Sequence, residues 1–226
     1  MVVAAPATPQ RSQELRLRIT EIFRSVQGES TLAGLPTTFV RLTGCPLRCG
    51  YCDTAYAFQG GQWMSGADIE QTVARFGVRQ VCVTGGEPLA QKGAPALLTQ
   101  LCDAGYTVSL ETSGALPIAG LDPRVIIVMD VKTPSSGESA RNLEANRQAL
   151  KAGDQVKFVV GETADLHWCR DWLREAALPA GVEVLWSPVW ETMPLPELAD
   201  WVAGAGVPGR LQVQLHKIIW GQEPGR

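Results

Sequence analysis

Histidine is scarce in this chain: His167 and His216 are the two it has, and neither has a companion at metal-ligand spacing. A histidine-built metal centre therefore does not organise the molecule. An excess of one charge is missing too, because 20 Lys and Arg stand against 23 Asp and Glu, with no long basic run. That excludes a general attraction to nucleic acid and leaves any anionic partner to individual residues. No apolar run is long enough to cross a bilayer; "RVIIVMDVK" is broken by charge within a few residues. The opening "MVVAAPATPQ" lacks a basic start and a sustained apolar segment, so residues 1–13 read as a loose tail and not a signal peptide. Cytoplasm is the expected compartment. Internal repeats, low-complexity tracts and long linkers are also missing, which leaves 14–226 as one domain.

Cysteine is present but unevenly placed. Of six, Cys82, Cys102 and Cys169 are isolated and read as buried small hydrophobes. The other three share the stretch "GCPLRCGYCDT", as Cys45, Cys49 and Cys52. In a reducing compartment such a cluster points to metal or redox chemistry rather than to disulfides. A structural zinc site needs four ligands, and the fourth would have to come from Cys82, Cys102, Cys169, His167 or His216. A four-iron cluster is held by about one thiolate per iron, so three cysteines in one loop leave one iron free to bind a substrate or cosubstrate.

Short β-branched runs alternate with longer helical patterns. Residues 37–42, 80–84, 106–111, 125–131, 155–160, 182–186 and 211–216 read as strands, several apolar on both faces. Between them 65–77, 93–105, 142–153, 164–176 and 195–206 carry helical spacing, several ending in Gly. Repeated β-then-α predicts an α/β fold: a mainly parallel sheet with crossover helices, slightly short for a complete eight-unit barrel and so a partial, open (β/α) barrel. "GCPLRCGYC", "GGEP", "TSG", "VKTP" and "SPV" each follow one of the predicted strands. Ligands in such folds gather at the C-terminal strand ends, so these loops predict a single composite site.

Cys45, Cys49 and Cys52, with the aromatic Tyr51 before the last and "GGEP" at 85–88, resemble the radical S-adenosylmethionine enzymes. Together with "EIFRSVQGES", "TGGEP", "ETSG", "DVK" and "LHKIIW", the chain is similar to the 7-carboxy-7-deazaguanine synthases over nearly all its length beyond the first dozen residues. The resemblance implies the radical S-adenosylmethionine type of open barrel, with a [4Fe-4S] cluster on the three cysteines whose free iron chelates S-adenosylmethionine. It implies that an adenosyl radical takes a hydrogen from 6-carboxy-5,6,7,8-tetrahydropterin, whose ring contracts with loss of ammonia to 7-carboxy-7-deazaguanine, on the route to queuosine. An electron donor such as flavodoxin and a homodimer are implied with it.

The resemblance also assigns roles. Tyr51, Cys52, Asp53, Gly85, Gly86, Ser113, Asp130, Val131, Lys132 and the "WSP" segment Trp186, Ser187 and Pro188 would meet the cofactor. Val26, Gln27, Gly28, Glu29, Arg41, Thr84, Glu111, His216 and the terminal Arg226 would meet the pterin. Thr54 would give an oxygen to a magnesium ion shared with the substrate. The residue types suit these roles. Arg41 offers a planar fork for a carboxylate, and Gln27 with Glu29 brackets Gly28 with donors and acceptors for a pterin edge. Plainer readings stand beside them: Gly28 as a turn, Lys132 as a surface charge, His216 as structural, and Thr54 as the N-cap of "AYAF". The Ser- and Gly-rich "TPSSGES" reads either as a mobile loop over the pocket or as ordinary surface. Two rival functions remain open, an activase that installs a glycyl radical on a partner protein and a non-catalytic zinc module.

Overall fold

Strands that are apolar on both faces need cover on both sides, and crossover helices supply it on one. The computed structural model describes residues 15–175, 177–204, 206–223 and 225; the expected tail, 1–13, lies outside them. The order is β1 (Arg16–Val26), β2 (Pro36–Leu42), β3 (Gln62–Ser65), α1 (Gly66–Arg75), β4 (Gln80–Gly85), α2 (Ala94–Asp103), β5 (Thr107–Thr112) and β6 (Ile126–Val131). Then come α3 (Asn146–Ala149), β7 (Gln155–Val160), α4 (Thr163–Glu175), β8 (Glu183–Pro188), α5 (Leu195–Gly204), β9 (Arg210–Leu211) and α6 (Leu215–Trp220). One sheet holds all nine strands in the order β3-β1-β2-β4-β5-β6-β7-β8-β9. From β2 to β9 every pairing is parallel, while β1 runs antiparallel to β2 and β3. The sheet does not close, which makes it a partial, open barrel.

The two faces divide by the period of two along each strand. Val40, Leu42, Val81, Val83, Val108, Leu110, Val156, Phe158 and Val160 belong to the core under the helices. Their neighbours Phe39, Arg41, Thr84, Glu111, Lys157 and Val159 face the barrel interior and line its cavity. In the core Phe158 meets Trp172 edge-on with centroids 5.5 Å apart and Trp186 at 5.2 Å.

Four elements depart from expectation. Strands β1 and β3 carry too many polar residues to announce themselves; in β1, Leu17 and Ile19 are buried, whereas most of the following residues are half-buried. The predicted strand at 211–216 shrinks to Arg210–Leu211, and Leu215 and His216 open α6 instead. Its alternation was genuine only as far as Gln212, whose N–H still reaches Trp186 O at 2.8 Å. The expected helix at 142–153 is one turn, because Asn142 and Asn146 bond outward: Asn142 to both the N–H and the C=O of Lys132, and Asn146 to Gly114, Leu116 and Ile118.

Phe158→Ala removes a fully buried ring from between two indoles. The variant is expected to lose about 3–5 kcal/mol of stability, seen as a lower urea midpoint at unchanged slope.

Candidate active site

The loops after β2, β4, β5, β6 and β8 open onto one cavity of about 630 Å³ at the C-terminal edge of the sheet. Cys45, Cys49 and Cys52 line it and are free and half-buried, whereas Cys82, Cys102 and Cys169 are buried and do not line it. Burial pushes the Cys45 and Cys49 thiols up, with Lys132 pulling the other way, so a bound cation or cluster is what would make them thiolates. Among the described residues no three His, Cys, Asp or Glu side chains converge on one ion-sized point. Zinc needs its sulfurs about 2.3 Å from a single centre, while a cluster takes them at separate corners. The residues therefore fit a [4Fe-4S] cluster better than zinc.

The cysteine loop is held from three sides. Gly44 N–H donates to Ala57 O at 2.8 Å, Glu87 N–H to Gly44 O at 2.8 Å, and Gly50 N–H to Ser136 O at 2.9 Å. The Arg48 N–H meets Glu138 Oε1 at 2.5 Å, and its guanidinium stacks over Phe58 at 4.3 Å. The "TPSSGES" segment is thus neither a flap nor plain surface, but a brace for the cysteine loop. It is itself fixed by Asp165, which accepts from Ser135 N–H at 3.0 Å and Gly161 N–H at 2.9 Å. Gly86 allows this packing: a Cβ there would stand 2.4 Å from Gly44 O and 2.7 Å from Cys45 Cβ. At Gly85 it would stand 2.3 Å from Leu42 O. Both glycines thus serve the close approach of two backbones as well as any ligand.

On the cofactor side, Tyr51, Asp53, Gly85, Gly86, Ser113, Asp130 and Lys132 line the cavity. Burial works to raise the Asp53 carboxyl, but Lys217 at 2.5 Å overrides it and holds it down to about 2. Burial pushes the Tyr51 phenol up to about 12. Lys132 is half-buried beside Asp130, its Nζ 3.1 Å from Oδ1 as an ion pair outside hydrogen-bonding geometry. A carboxylate oxygen so placed has lone pairs left for a ligand amine such as that of S-adenosylmethionine. Lys132 is not the surface charge its plain reading implied. Val131 and Trp186 face the core instead, the indole donating to Pro208 O at 2.9 Å. Ser187 and Pro188 do not line the cavity either; Val189, the next residue, does.

On the substrate side, Val26, Gln27, Glu29, Arg41, Thr84, Glu111 and His216 line the same cavity. Gly28 lies behind the ring of His216, where a Cβ would meet Nδ1 at 2.0 Å. Glu29 Oε2 takes Lys157 Nζ at 2.5 Å and Oε1 takes Gln214 Nε2 at 2.7 Å. Burial opposes ionisation of Glu29, yet Lys157 holds it below the usual carboxylate range. Arg41 gives its Nε to Glu21 Oε1 at 2.7 Å, and the same oxygen accepts from the Tyr56 hydroxyl at 2.8 Å. Thr84 Oγ1 donates to Glu111 Oε2 at 2.8 Å. His216 sits in a helix, not at a strand end, and burial lowers its pKa. Thr54 stands at the N-cap of the 3-10 turn Ala55–Phe58 without capping it; the hydroxyl donates to Asp53 Oδ1 at 2.8 Å. Arg226 lies outside the described residues, although Gly221, Gln222, Glu223 and Gly225 line the cavity.

Lys157, Gln214, Lys217, Glu87 and Glu21 escaped the sequence reading. Lys157 carried a usable signal, a lone charge in an apolar strand like that of Arg41. The other four take their roles from long-range contacts.

Comparison with known proteins agrees with this geometry. The Radical SAM superfamily model matches residues 39–136. The 7-carboxy-7-deazaguanine synthase of Chlorobaculum tepidum is 42% identical over 92% of this chain and 96% of its own, and that of Methanospirillum hungatei 41% over 92% and 87%. The crystal structure of QueE from Escherichia coli shares the fold, with TM-score 0.74 at 23% identity over 89% of this chain and 95% of that one. An open barrel with a three-cysteine loop at its C-terminal edge and a matching family model defines a radical S-adenosylmethionine enzyme, which uses a [4Fe-4S] cluster and S-adenosylmethionine. Within that class, the chain belongs to the 7-carboxy-7-deazaguanine synthase family. No helix among the described residues is long and apolar enough to cross a membrane.

Six single Cys→Ala variants test the loop. After anaerobic reconstitution, those at 45, 49 and 52 are expected to lose bound iron, while those at 82, 102 and 169 keep it; equal loss at a buried position would overturn the assignment.

Proposed function

We propose that this enzyme converts 6-carboxy-5,6,7,8-tetrahydropterin to 7-carboxy-7-deazaguanine with release of ammonia, in the synthesis of queuosine and related 7-deazapurines. Substrate and deazaguanine product differ by that ammonia alone, so the conversion consumes no net oxidant. The observation that carries the reading is one cavity with two unlike sets of lining residues: the three-cysteine loop with Asp130 and Lys132, and beside it Gln27, Glu29, Arg41, Thr84 and Glu111. The bound cluster and S-adenosylmethionine supply the one-electron chemistry that removes a hydrogen from the substrate.

The chain's own part is to bind, orient and exclude water. With its Nε committed to Glu21, Arg41 keeps its terminal nitrogens for the substrate carboxylate. Gln27, Glu29, Thr84 and Glu111 combine donors and acceptors suited to the amide and amine edge of the pterin. Glu29 already accepts from two donors, and each carboxylate oxygen has a second lone pair for a third. Asp130 and Lys132 present opposite charges to the amino and carboxylate groups of the cofactor. Thr54, free of capping duty, keeps hydroxyl lone pairs for a magnesium ion that also takes substrate oxygens. The reading includes a cytoplasmic setting, a homodimer and an external one-electron donor such as flavodoxin. Neither a glycyl-radical activase nor a zinc module needs an arginine fork and a pterin-edge set beside the cysteine loop.

The reconstituted holoenzyme, given S-adenosylmethionine, reductant and the carboxylated tetrahydropterin, should release ammonia and the deazaguanine acid; reductive cleavage of S-adenosylmethionine with no pterin turnover would overturn the reading. Arg41→Ala should weaken pterin binding by about 2–4 kcal/mol with cofactor affinity retained, and titration with each ligand reads the difference. Thr54→Ala should abolish stimulation by magnesium while iron content and thermal midpoint stay unchanged. Turnover with and without the metal checks this.

A further inference from the structure

Strand β7 reads Gln-Val-Lys-Phe-Val-Val, and its third residue is a lysine with 9% of its surface exposed, in the wall of a barrel. Nothing in the fold requires a cation there. A buried ion pair replaced by well-packed apolar residues of similar volume is often neutral or stabilising, so a lysine at this layer is a local inconsistency of the kind that marks function. Its surroundings are specific. Lys157 Nζ lies 2.5 Å from Glu29 Oε2 and 3.4 Å from Asp130 Oδ2. Asp130 stands directly opposite it on β6 in the strand register. Burial alone would drive the amine to neutrality, but Glu29, Asp130 and Glu111 reverse this and keep it charged. The chain of contacts continues at both ends, to Gln214 beyond Glu29 and to Lys132 beyond Asp130.

We propose that Lys157 is a positioning residue that bridges Glu29 and Asp130, so that one ammonium sets the placement of the pterin-facing and the cofactor-facing carboxylates together. The inference rests on the functional reading above, in which Glu29 meets the pterin and Asp130 the cofactor. One cation shared by two carboxylates is sufficient for this. Without it Glu29 would be left with the neutral Gln214 amide and Asp130 with Lys132 on its other oxygen, so each would be under-partnered and would protonate or turn away. Both ligands would then lose their partner, although Lys157 need touch neither.

The test uses reconstituted holoenzyme and separate equilibrium titrations with S-adenosylmethionine and with the carboxylated tetrahydropterin. Lys157→Met, which keeps length and removes charge, is expected to weaken both ligands by about tenfold or more, the loss of a hydrogen bond to a charged group. Glu29→Gln should weaken the pterin alone and Asp130→Asn the cofactor alone, while Lys157→Arg restores most of both affinities. Should Lys157→Met not fold, the paired variant Lys157→Met with Glu29→Gln removes the stranded charge, and it should still bind S-adenosylmethionine more weakly than Glu29→Gln does. Loss confined to one ligand, or unchanged affinities with only a lower melting temperature, would overturn the bridge. Failure of the functional reading looks different, since Arg41→Ala would then leave pterin binding intact.

Discussion

The carboxylate of Glu87 holds the active-site edge of the sheet together. It is fully buried and accepts from Ser113 N–H at 2.7 Å, Ser113 Oγ at 2.5 Å, Thr112 Oγ1 at 2.9 Å and Leu89 N–H at 3.0 Å. Its own N–H donates to Gly44 O at 2.8 Å. One residue thus ties the end of β4 to the end of β5 and to the cysteine loop after β2. A buried carboxylate is tolerable only when its oxygens are fully partnered, so the arrangement is all or nothing. This explains the whole "GGEP" stretch: two glycines let the cysteine loop approach, the glutamate fastens it, and proline pre-sets the turn that follows.

Above that staple the barrel interior carries a polar layer drawn from successive strands. Arg41 pairs in register with Thr84, Thr84 bonds Glu111, and Asp130 pairs in register with Lys157. Charges at such depth lower stability unless paired, and here each has a partner of opposite sign or a hydroxyl. The apolar side of the same strands provides the compensating burial, with Val83, Leu110, Phe158 and Trp186 fully covered. The division follows from the period of two along a strand: one face is given to packing and the other to chemistry.

That period also explains what could be read from the sequence. The parallel strands were visible because residues such as Val81, Val83, Val156 and Phe158 sit in short apolar runs with clear boundaries, and the cysteine loop because three thiols in one stretch have few other uses. Arg41 stood out as a charge in such a run, and Lys157 carried the same signal, but a lone lysine reads as a snorkelling surface residue until its partners are known. Strand β1 hid behind its polar residues. Residues 211–216 misled because alternation cannot show where a strand ends; the hydrogen bond from Leu215 N–H to Gly28 O, at 3.0 Å, decides that. At "WSP" the motif places the backbone at a strand end but does not say which way each side chain turns, and the Trp186 ring turns to the core.

The cavity depends finally on the two ends of the described chain meeting. The barrel is open between its edge strands, and the gap near the site is spanned by side chains and by the Leu215 N–H to Gly28 O bond instead of a strand ladder. Gln212 Nε2 reaches Ser30 O at 3.0 Å, Gln214 Nε2 reaches Glu29 Oε1 at 2.7 Å, and Lys217 Nζ reaches Asp53 Oδ2 at 2.5 Å. These pairs are 182, 185 and 164 residues apart in sequence. Contacts of such separation carry a large loop-closure entropy, which local strand pairing must first reduce. The stapled strand ends can therefore form before the substrate wall does, and Glu29 acquires both its donors, Lys157 and Gln214, only when the C-terminal segment docks. The segment from Gln212 through the short helix α6 thereby supplies one wall of the cavity at the open edge of the sheet.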